Sequence, residues 1–564
     1  MTLLSQSNRQ QFSTLLDAAA LNPGDDARPA VIFMETGQPD QVISRGEFAR
    51  QARQYGGVLQ AAGVGRGELV VIAHTQNLES MFAFWGALAI GAIPSMFPTL
   101  TEKLDPEIYK SSMAKLVSHS GVRLVLTSDD FAPQLAGQLD CPVLGSSQLV
   151  MPGRMTQDLT PPPPDEVAFL QHSSGTTGLQ KGVALSHRAV LNQLASYSDA
   201  LQLNEEDVIV SWLPLYHDMG LIAGFLLPLV QGVPLVLMSP FDWVHHPAIL
   251  LRAIHDHHGT YCWLPNFAYN HCARRTRKRD SAGLSLGTMR AFINCSEPVY
   301  HDSHQQFYDR FAVNGANMAM LGVSYAMAEN TFAVTQTPVG QAAQLDVVDR
   351  AALENERRAA PAAPDAPTAQ VNVSCGPPIA GTEVRIINGE NGAELPERAV
   401  GEVAIRSDFM LSGYYKRPDL NAHIWHEDGW YRSGDMGYMA AGELYISGRK
   451  KDLIINGGKN VYPQDLEAIV NSVPGVHPGR AAAFGVYDTR EGTELIGIAA
   501  EVDCEDEAGR RQIAQEIRAR IARQTTVTAS FVHLTAEKWL IKTSSGKIAR
   551  AANRDKWARE NGRQ

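Results

Sequence analysis

Short runs of Val, Ile and Leu alternate along this chain with longer amphipathic stretches, and that alternation constrains the fold more than any other feature. LVVIAH at 69–74 is followed by an apolar helical stretch at 82–89 and then by VRLVLTS at 122–128. Strands buried on both faces read as continuous apolar runs, and joining parallel strands takes a crossover that a helix supplies. The pattern implies an α/β fold with parallel strands and flanking helices. With 564 residues the chain can bury one or more sizeable cores. A content of 44 % hydrophobic and 19 % charged residues is that of a globular protein, neither disordered nor fibrous, and no repeat of fixed period is evident.

Charge and cysteine usage exclude several function classes. The 49 basic and 60 acidic residues give a net charge of −11, which argues against broad electrostatic capture of nucleic acid or anionic membrane. The six cysteines, at 141, 262, 272, 295, 375 and 504, form no C-x-x-C pair and no zinc spacing, and read as reduced cytosolic thiols. MTLLSQSNRQQF lacks a basic segment followed by an apolar stretch, so a secretory signal is not expected and the chain is placed in the cytoplasm. The nearest approach to a membrane span, 220–238, is interrupted by Pro228, Gln231, Gly232 and Pro234. It reads as a short apolar helix and a short apolar strand inside an α/β layer, so no transmembrane segment is expected.

Four prolines at 161–164 form a stiff connector. Beyond it, VAFLQHSSGTTGLQKGVALSH reads as a strand over 167–170 and then a loop of small and hydroxyl residues, Ser173, Ser174, Gly175, Thr176, Thr177 and Gly178, running to Lys181. Backbone N–H groups and hydroxyls in such a loop suit phosphate oxygens, and glycines let the main chain approach them closely. It is not a Walker loop, because Gln180 stands where that pattern needs glycine. Taken alone, a Ser/Gly-rich surface turn remains open.

SSGTTGLQKG resembles the phosphate loop of the adenylate-forming superfamily, which includes acyl-CoA synthetases, fatty acyl-AMP ligases, luciferases and peptide-synthetase adenylation domains. The other motifs follow in order: WLPLYHDMGL (212–221), NCSEPV (294–299), SYAMAENT (324–331), YRSGDMGYM (431–439), GELYISGRKKDLIINGGKNVYPQDLE (442–467) and KTSSGKIAR (542–550). The resemblance implies a large N-terminal domain of mixed and parallel sheets flanked by helices (1–450) and a small mobile α+β C-terminal lid (451–564). It also implies ATP-dependent activation of a carboxylic acid with Mg²⁺. Two anions must meet at the α-phosphorus, so cations and N–H donors are needed there.

The resemblance assigns roles residue by residue. Glu329, with Thr176, is the magnesium site, in keeping with an ion that takes few protein carboxylates. Asp435, read as lying in a turn between Ser433-Gly434 and Gly437, takes the ribose hydroxyls, and Arg449 contacts the nucleotide. Tyr325 offers a ring face, Ser296, Glu297 and Pro298 flank the adenine, and Ile446 packs on the nucleoside. Lys547 reaches the α-phosphate and the substrate carboxylate. His217 resembles the gate between acyl pocket and nucleotide; a general base is superfluous for an acid already ionised at pH 7. Lys451 is the hinge whose backbone rotation swings the lid, and Gly457, Gly458 and Lys459 line the thiol tunnel.

The acid and the thiol are read from finer features. LPLYHDMGL, PNFAYNHCARR (265–275) and YPQDLE (462–467) resemble fatty acyl-AMP ligases, which load a fatty acid onto an acyl carrier protein. So does an extra stretch at about 345–376, in the place of the insertion that restrains the lid and disfavours CoA; its Ala/Pro-rich middle also fits a plain surface loop. Three departures point the other way: Ala326 after the tyrosine, His172 before the phosphate loop, and a CoA-ligase-like IINGGKNVYP. CoA as acceptor, a luciferase-like oxygenase and a silent homologue stay open, although a silent one is expected to have lost Lys547, Glu329 or Asp435. The histidines at 245, 246, 255, 257 and 258 are not read as a metal site. The basic run Arg274, Arg275, Arg277, Lys278 and Arg279 reads as a solvated helix end or a docking patch for an acidic carrier or CoA phosphates.

Overall fold

The structure, a computed structural model, describes every residue except 1–2, 22–25, 75–77, 101–105, 150–160, 173–180, 426–428, 458, 489–492, 526, 544–545 and 563–564. The chain is built of alternating helices and strands and divides into two compact units. The larger comprises residues 1–343, 378–383 and 406–425, and the smaller 344–377, 384–405 and 426–564.

Two sheets build the larger unit. In the first, the apolar runs lie side by side in the order Gly413–Tyr414, Gly182–Ser186, Val167–His172, Ile93–Met96, Leu69–Ala73, Val122–Thr127, Val143–Gly145. The last five are parallel, as expected from crossover connections. Leu69–Ala73 sits inside this sheet and is buried throughout. The helices Arg45–Ala61 and Leu78–Ala89 pack so closely that a Cβ on Gly86 would stand 2.6 Å from the Gly56 amide nitrogen. Only glycine fits that crossing. The second sheet has eight strands, parallel inside and antiparallel at both edges, in the order Ala333–Gln336, Leu321–Ala326, Ala291–Cys295, Tyr261–Leu264, Ile209–Ser211, Leu235–Met238, Pro29–Met34, Gln41–Ser44. The 220–238 segment is the expected helix and strand: a π-helical turn Met219–Leu226, a helix Leu227–Gln231 and the buried strand Leu235–Met238. No helix among the described residues is long and apolar enough to cross a membrane.

Two hydrophobic clusters of the smaller unit show how it is assembled. One is formed only by residues beyond 451, including Ile454, Leu466, Ile498, Ile517 and Ile521, around the sheet Val476–Asp488, Thr493–Val502, Ala529–Thr535. The other joins Val348, Leu353 and Ala359 to Val400, Met436, Tyr438, Tyr445 and Tyr462. By packing, 344–377 and 384–405 group with the residues from 426 onward. The physical reason is sheet pairing: Gly401–Ser407 lies antiparallel to Tyr431–Ala440, which pairs with Glu443–Arg449.

The extra stretch is ordered structure rather than a loose loop. Leu345–Asp349 and Ala369–Val373 form an antiparallel hairpin that carries a helix, Arg350–Glu356. The Asp349 carboxylate caps that helix, accepting from the Ala352 amide at 2.8 Å. Arg398 grips Asp346 with both terminal nitrogens, at 3.1 and 3.2 Å. Within the Ala/Pro-rich middle, Ala359 is fully buried and Ala362 donates to Val347 O, while Pro361, Ala363–Asp365, Pro367 and Thr368 are exposed.

Candidate active site

In the larger unit the strand Val167–His172 runs antiparallel to Gly182–Ser186, so the two flank the glycine- and hydroxyl-rich segment. Ser173, Ser174, Gly175, Thr176, Thr177 and Gly178 lie outside the described residues. Where the loop rejoins the sheet, Lys181 places its Nζ 4.8 Å from the ring centre of Tyr414. His172 is buried; desolvation lowers its pKa to about 4, so the imidazole is neutral, and its Nδ1 lies 2.8 Å from Ser95 Oγ.

Glu329 sits in a short 3₁₀ turn, Ala328–Asn330, just past the strand carrying Tyr325. Several contacts fix that turn. Thr331 is held at φ +61°, uncommon for a β-branched residue, while its hydroxyl donates to Phe409 O at 2.7 Å. Leu411 N donates to Glu329 O at 2.9 Å, and the Tyr414 hydroxyl donates to Glu329 Oε1 at 3.0 Å. Tyr414 thus touches both the carboxylate and the lysine. Its own position is set by the pairing of Gly413–Tyr414 on Gly182–Ser186 and by its amide donating to Asn421 Oδ1 at 2.7 Å. Nothing in the sequence singles out Tyr414, because a neutral aromatic in GYYKRPD carries no charge or spacing signal.

Among the described residues, Glu329 is the donor to weigh for a divalent ion. No cluster of three or more His, Cys, Asp or Glu able to hold a metal occurs among the described residues. A single carboxylate on a fixed turn is what an ion that keeps waters and phosphate oxygens requires.

Ser296 follows the buried strand Ala291–Cys295 at φ +70°. The segment behind it is braced by Asn266, whose Oδ1 accepts from Asn294 Nδ2 at 3.1 Å and from the Tyr300 amide at 3.2 Å. Glu297 Oε2 accepts from the Phe267 amide at 3.0 Å. Tyr325 is mostly buried, at 9 % exposure, with its hydroxyl 4.0 Å from Met327 Sδ. His217 stands at the start of the π-helical turn, its carbonyl accepting from Leu221 N at 2.7 Å and its ring 4.5 Å from that of Tyr216. A Cβ on Gly220 would meet Pro214 O at 2.1 Å, so glycine alone permits the turn to close there.

In the smaller unit Asp435 lies within the strand Tyr431–Ala440, not in the turn expected from its glycines. Antiparallel pairing with Glu443–Arg449 extends through it, and Arg449 is its cross-strand partner, with Nε 3.1 Å from Oδ1. The two motif residues fourteen positions apart are therefore brought together by register. Ile446, on the same strand as Arg449, is half-buried. Lys451 is exposed in the 3₁₀ turn Lys450–Asp452. Gly457 adopts φ +57° and donates to Thr493 Oγ1 at 2.8 Å; Lys459 opens the strand Lys459–Val461, and Gly458 lies outside the described residues.

Lys547 sits at the foot of a hairpin in which Thr543 N donates to Lys547 O at 2.8 Å. Three residues on, Arg550 holds Glu467 through Nε and Nη2, at 2.8 and 2.7 Å, and Asp452 through Nη1 at 2.7 Å. Burial alone would lower the Arg550 pKa, but Glu467 and Asp452 outweigh it and raise it. This arginine, also missed in the sequence, ties the Lys547 hairpin to the Lys450–Asp452 turn.

Similarity to known ligases identifies the chain as an adenylate-forming acid–thiol ligase. The chain belongs to the AMP-binding enzyme family, whose pattern it matches over residues 17–415. It is 30 % identical to the medium-chain-fatty-acid–[acyl-carrier-protein] ligase JamA of Moorena producens, over 98 % of this chain and 96 % of JamA. It is 32 % identical to the long-chain-fatty-acid–AMP ligase FadD26 of Mycobacterium marinum, over 86 % of each chain. A solved structure from work on the fatty acyl-adenylate ligases of E. coli and L. pneumophila superposes with a TM-score of 0.87 at 28 % identity, covering 98 % of both chains.

Proposed function

We propose that this chain activates a medium- or long-chain fatty acid with ATP and passes the acyl group to the phosphopantetheine thiol of an acyl carrier protein. The observation that carries the first half is the grouping of Glu329, Tyr414 and Lys181 at the exit of the glycine-rich segment. The acid's carboxylate oxygen attacks the α-phosphorus and pyrophosphate leaves. The thiol sulfur then attacks the acyl carbon, AMP leaves with the bridging oxygen, and the thiol proton is released. Asp435 takes the ribose hydroxyls, Arg449 orients Asp435 and the nucleotide, Ser296–Pro298 and Tyr325 bracket the adenine, and His217 separates it from the acyl chain. Lys547 meets the developing charge, and Lys451 is the pivot that later withdraws it. Mg²⁺, held by Glu329 with Thr176, supplies neutralisation of phosphate charge when bound. Gly457, Gly458 and Lys459 line the thiol path. The cytoplasm suits a chain whose six cysteines are all free thiols. Acid-dependent pyrophosphate exchange over a fatty acid panel, followed by product mass with CoA and with a holo carrier protein, tests the whole reading.

Tyr414 makes the metal assignment testable. Glu329→Gln should raise the Mg²⁺ concentration needed for half-maximal exchange and lower kcat. Tyr414→Phe removes one hydrogen bond to a carboxylate, worth about 1–2 kcal/mol when partly solvated, and should shift the same Mg²⁺ dependence several-fold. Mn²⁺ binding in the presence of ATP, read by electron paramagnetic resonance, should weaken in the same order. Unchanged Mn²⁺ affinity in both variants would place the metal elsewhere.

The carrier acceptor rests on the inserted hairpin. It contacts two parts of the smaller unit on either side of the Lys450–Asp452 turn. Asp346 accepts from Arg398 and from the Tyr438 hydroxyl at 2.9 Å, on the near side. On the far side Arg357 Nη2 donates to Asn460 Oδ1 at 3.1 Å, and Asn460 Nδ2 donates to Glu354 O at 3.0 Å. Such a strap stabilises one pose of the pivot, and about 1.4 kcal/mol of bias changes the competing pose tenfold. JamA, named for a carrier-protein product, supports the same acceptor. Arg357→Ala combined with Asn460→Ala should leave adenylation intact and raise transfer to CoA. In single-turnover transfer by the unaltered protein, comparable rates to CoA and to carrier would instead favour an acyl-CoA synthetase, the reading that the IINGGKNVYP turn supports.

A further inference from the structure

On a protein of net charge −11, five cations fall within six positions, at Arg274, Arg275, Arg277, Lys278 and Arg279. The helix Asn266–Arg275 ends in the first two, and all five side chains are exposed. Among the described residues the one ion pair in this run joins Arg279 to Asp280, at 3.4 Å, so four cations face solvent without a carboxylate. A charge concentration of this kind raises the local concentration of an anionic partner and speeds its docking.

The same helix presents apolar surface at its other end. Phe267, His271, Arg274 and Arg275 follow the three- and four-residue spacing of one helical face, Lys278 follows just beyond the helix end, and Ala268, Tyr269 and Cys272 are buried behind it. Phe267 remains 44 % exposed, and Phe241 and Val244 on the neighbouring helix Pro240–His245 are 50 % and 40 % exposed. His271 Nε2, 3.0 Å from Val244 O, ties the two helices together. Beneath them Trp212 and Trp243 stack at 3.7 Å, and Phe267 lies edge-on to both, at 6.2 and 6.1 Å. The exposed apolar side chains therefore stand on a rigid base, which reduces the entropy lost when a partner covers them. Phe267 is also one hydrogen bond from Glu297, in the segment assigned to the adenine.

We propose that the face formed by Phe241, Val244 and Phe267 with Arg274, Arg275, Arg277 and Lys278 docks the acyl carrier protein, an acidic partner bearing an apolar contact and a phosphopantetheine arm. The proposal rests on the carrier acceptor argued above. In a two-fold pair of these chains the cationic face would meet its own copy and repel it, so charge selects an acidic partner of another kind. The apolar end, beside the adenine segment, sets the carrier where its arm can reach the acyl adenylate. The cationic end, about 12 Å from Phe267 along the helix at Arg275, holds the acidic flank.

The test uses the full-length protein with Arg274, Arg275, Arg277 and Lys278 all changed to Glu, and separately with Phe241→Ser and Val244→Ser. Binding of a holo acyl carrier protein is measured by fluorescence anisotropy, and transfer is followed with that carrier and with CoA. Charge reversal should weaken carrier binding about tenfold or more at low salt and flatten its salt dependence. Pyrophosphate exchange and transfer to CoA should stay unchanged. The serine variant should weaken carrier binding with little change in salt dependence. Equal binding by the variants and the parent protein would overturn the docking face while leaving the carrier acceptor standing. A parallel loss with CoA would show that the patch reads a nucleotide phosphate, and would overturn the carrier proposal. A parent protein that neither binds nor acylates the carrier would remove both the acceptor reading and the docking face.

Discussion

Lys547→Ala should abolish acyl-adenylate formation and leave transfer from supplied acyl adenylate largely intact. An ammonium placed at the α-phosphate and the carboxylate meets charge that develops only in the transition state. Removing such a contact from a preorganised site costs about 10²- to 10³-fold in rate. A lysine suits the task because its charge is compact and its stem flexible. The hairpin that carries it is pinned at its foot by the Thr543 and Ile548 pairings and by Asn553, whose Oδ1 accepts from Ile541 N at 2.8 Å. The alanine variant therefore keeps its backbone, and the lost function is chemical. Quenched-flow measurement of the two half-reactions separates the outcomes. Equal loss in both would assign Lys547 a structural part instead.

The fold was legible because short apolar runs of strand length alternate with longer helical stretches, and the 220–238 segment was legible through the prolines that interrupt it. The site was legible where chemistry needs charge: Glu329, Asp435, Arg449 and Lys547 stand in motifs whose residue types phosphate and ribose recognition demand. Local pattern misled at Asp435, where Ser433, Gly434 and Gly437 read as a turn. Pairing with the strand Glu443–Arg449 overrides those glycines and puts Asp435 opposite Arg449. Likewise, an Ala/Pro-rich stretch gives no periodic signal, yet the burial of Ala359 and Leu353 against Tyr438 and Tyr462 makes the insertion part of a core. Tyr414 and Arg550 could not be found from the chain alone, since their partners lie 85 and 83 residues away.

Arg550→Ala should be the most destabilising substitution in the smaller unit and should slow adenylation even where the fold survives. Its guanidinium satisfies two carboxylates at once, and only about a fifth of the side chain is exposed. Removing one partner of a largely buried ion pair costs about 3–5 kcal/mol, because the carboxylates left behind are desolvated without compensation; the residual exposure places Arg550 at the lower end. Arg550→Lys keeps the charge but loses the two-pronged grip on Glu467, and should cost less stability while still loosening the Lys547 hairpin. Asp465 adds a pH signature. Burial is the main cause that raises its pKa from 3.8 to about 7, Arg350 and Arg550 oppose that rise, and Glu354 and Glu467 add to it. A folded pKa above the unfolded value means that the stabilising contribution is complete below about pH 4 and is lost as pH rises to about 7. Without Arg550 the Asp465 pKa moves higher, so the loss extends above pH 7. The melting-temperature gap between parent and Arg550→Ala should therefore widen from pH 6 to pH 8. A gap independent of pH would mean that Arg550 acts by packing alone, and unchanged adenylation in Arg550→Lys would release it from positioning Lys547.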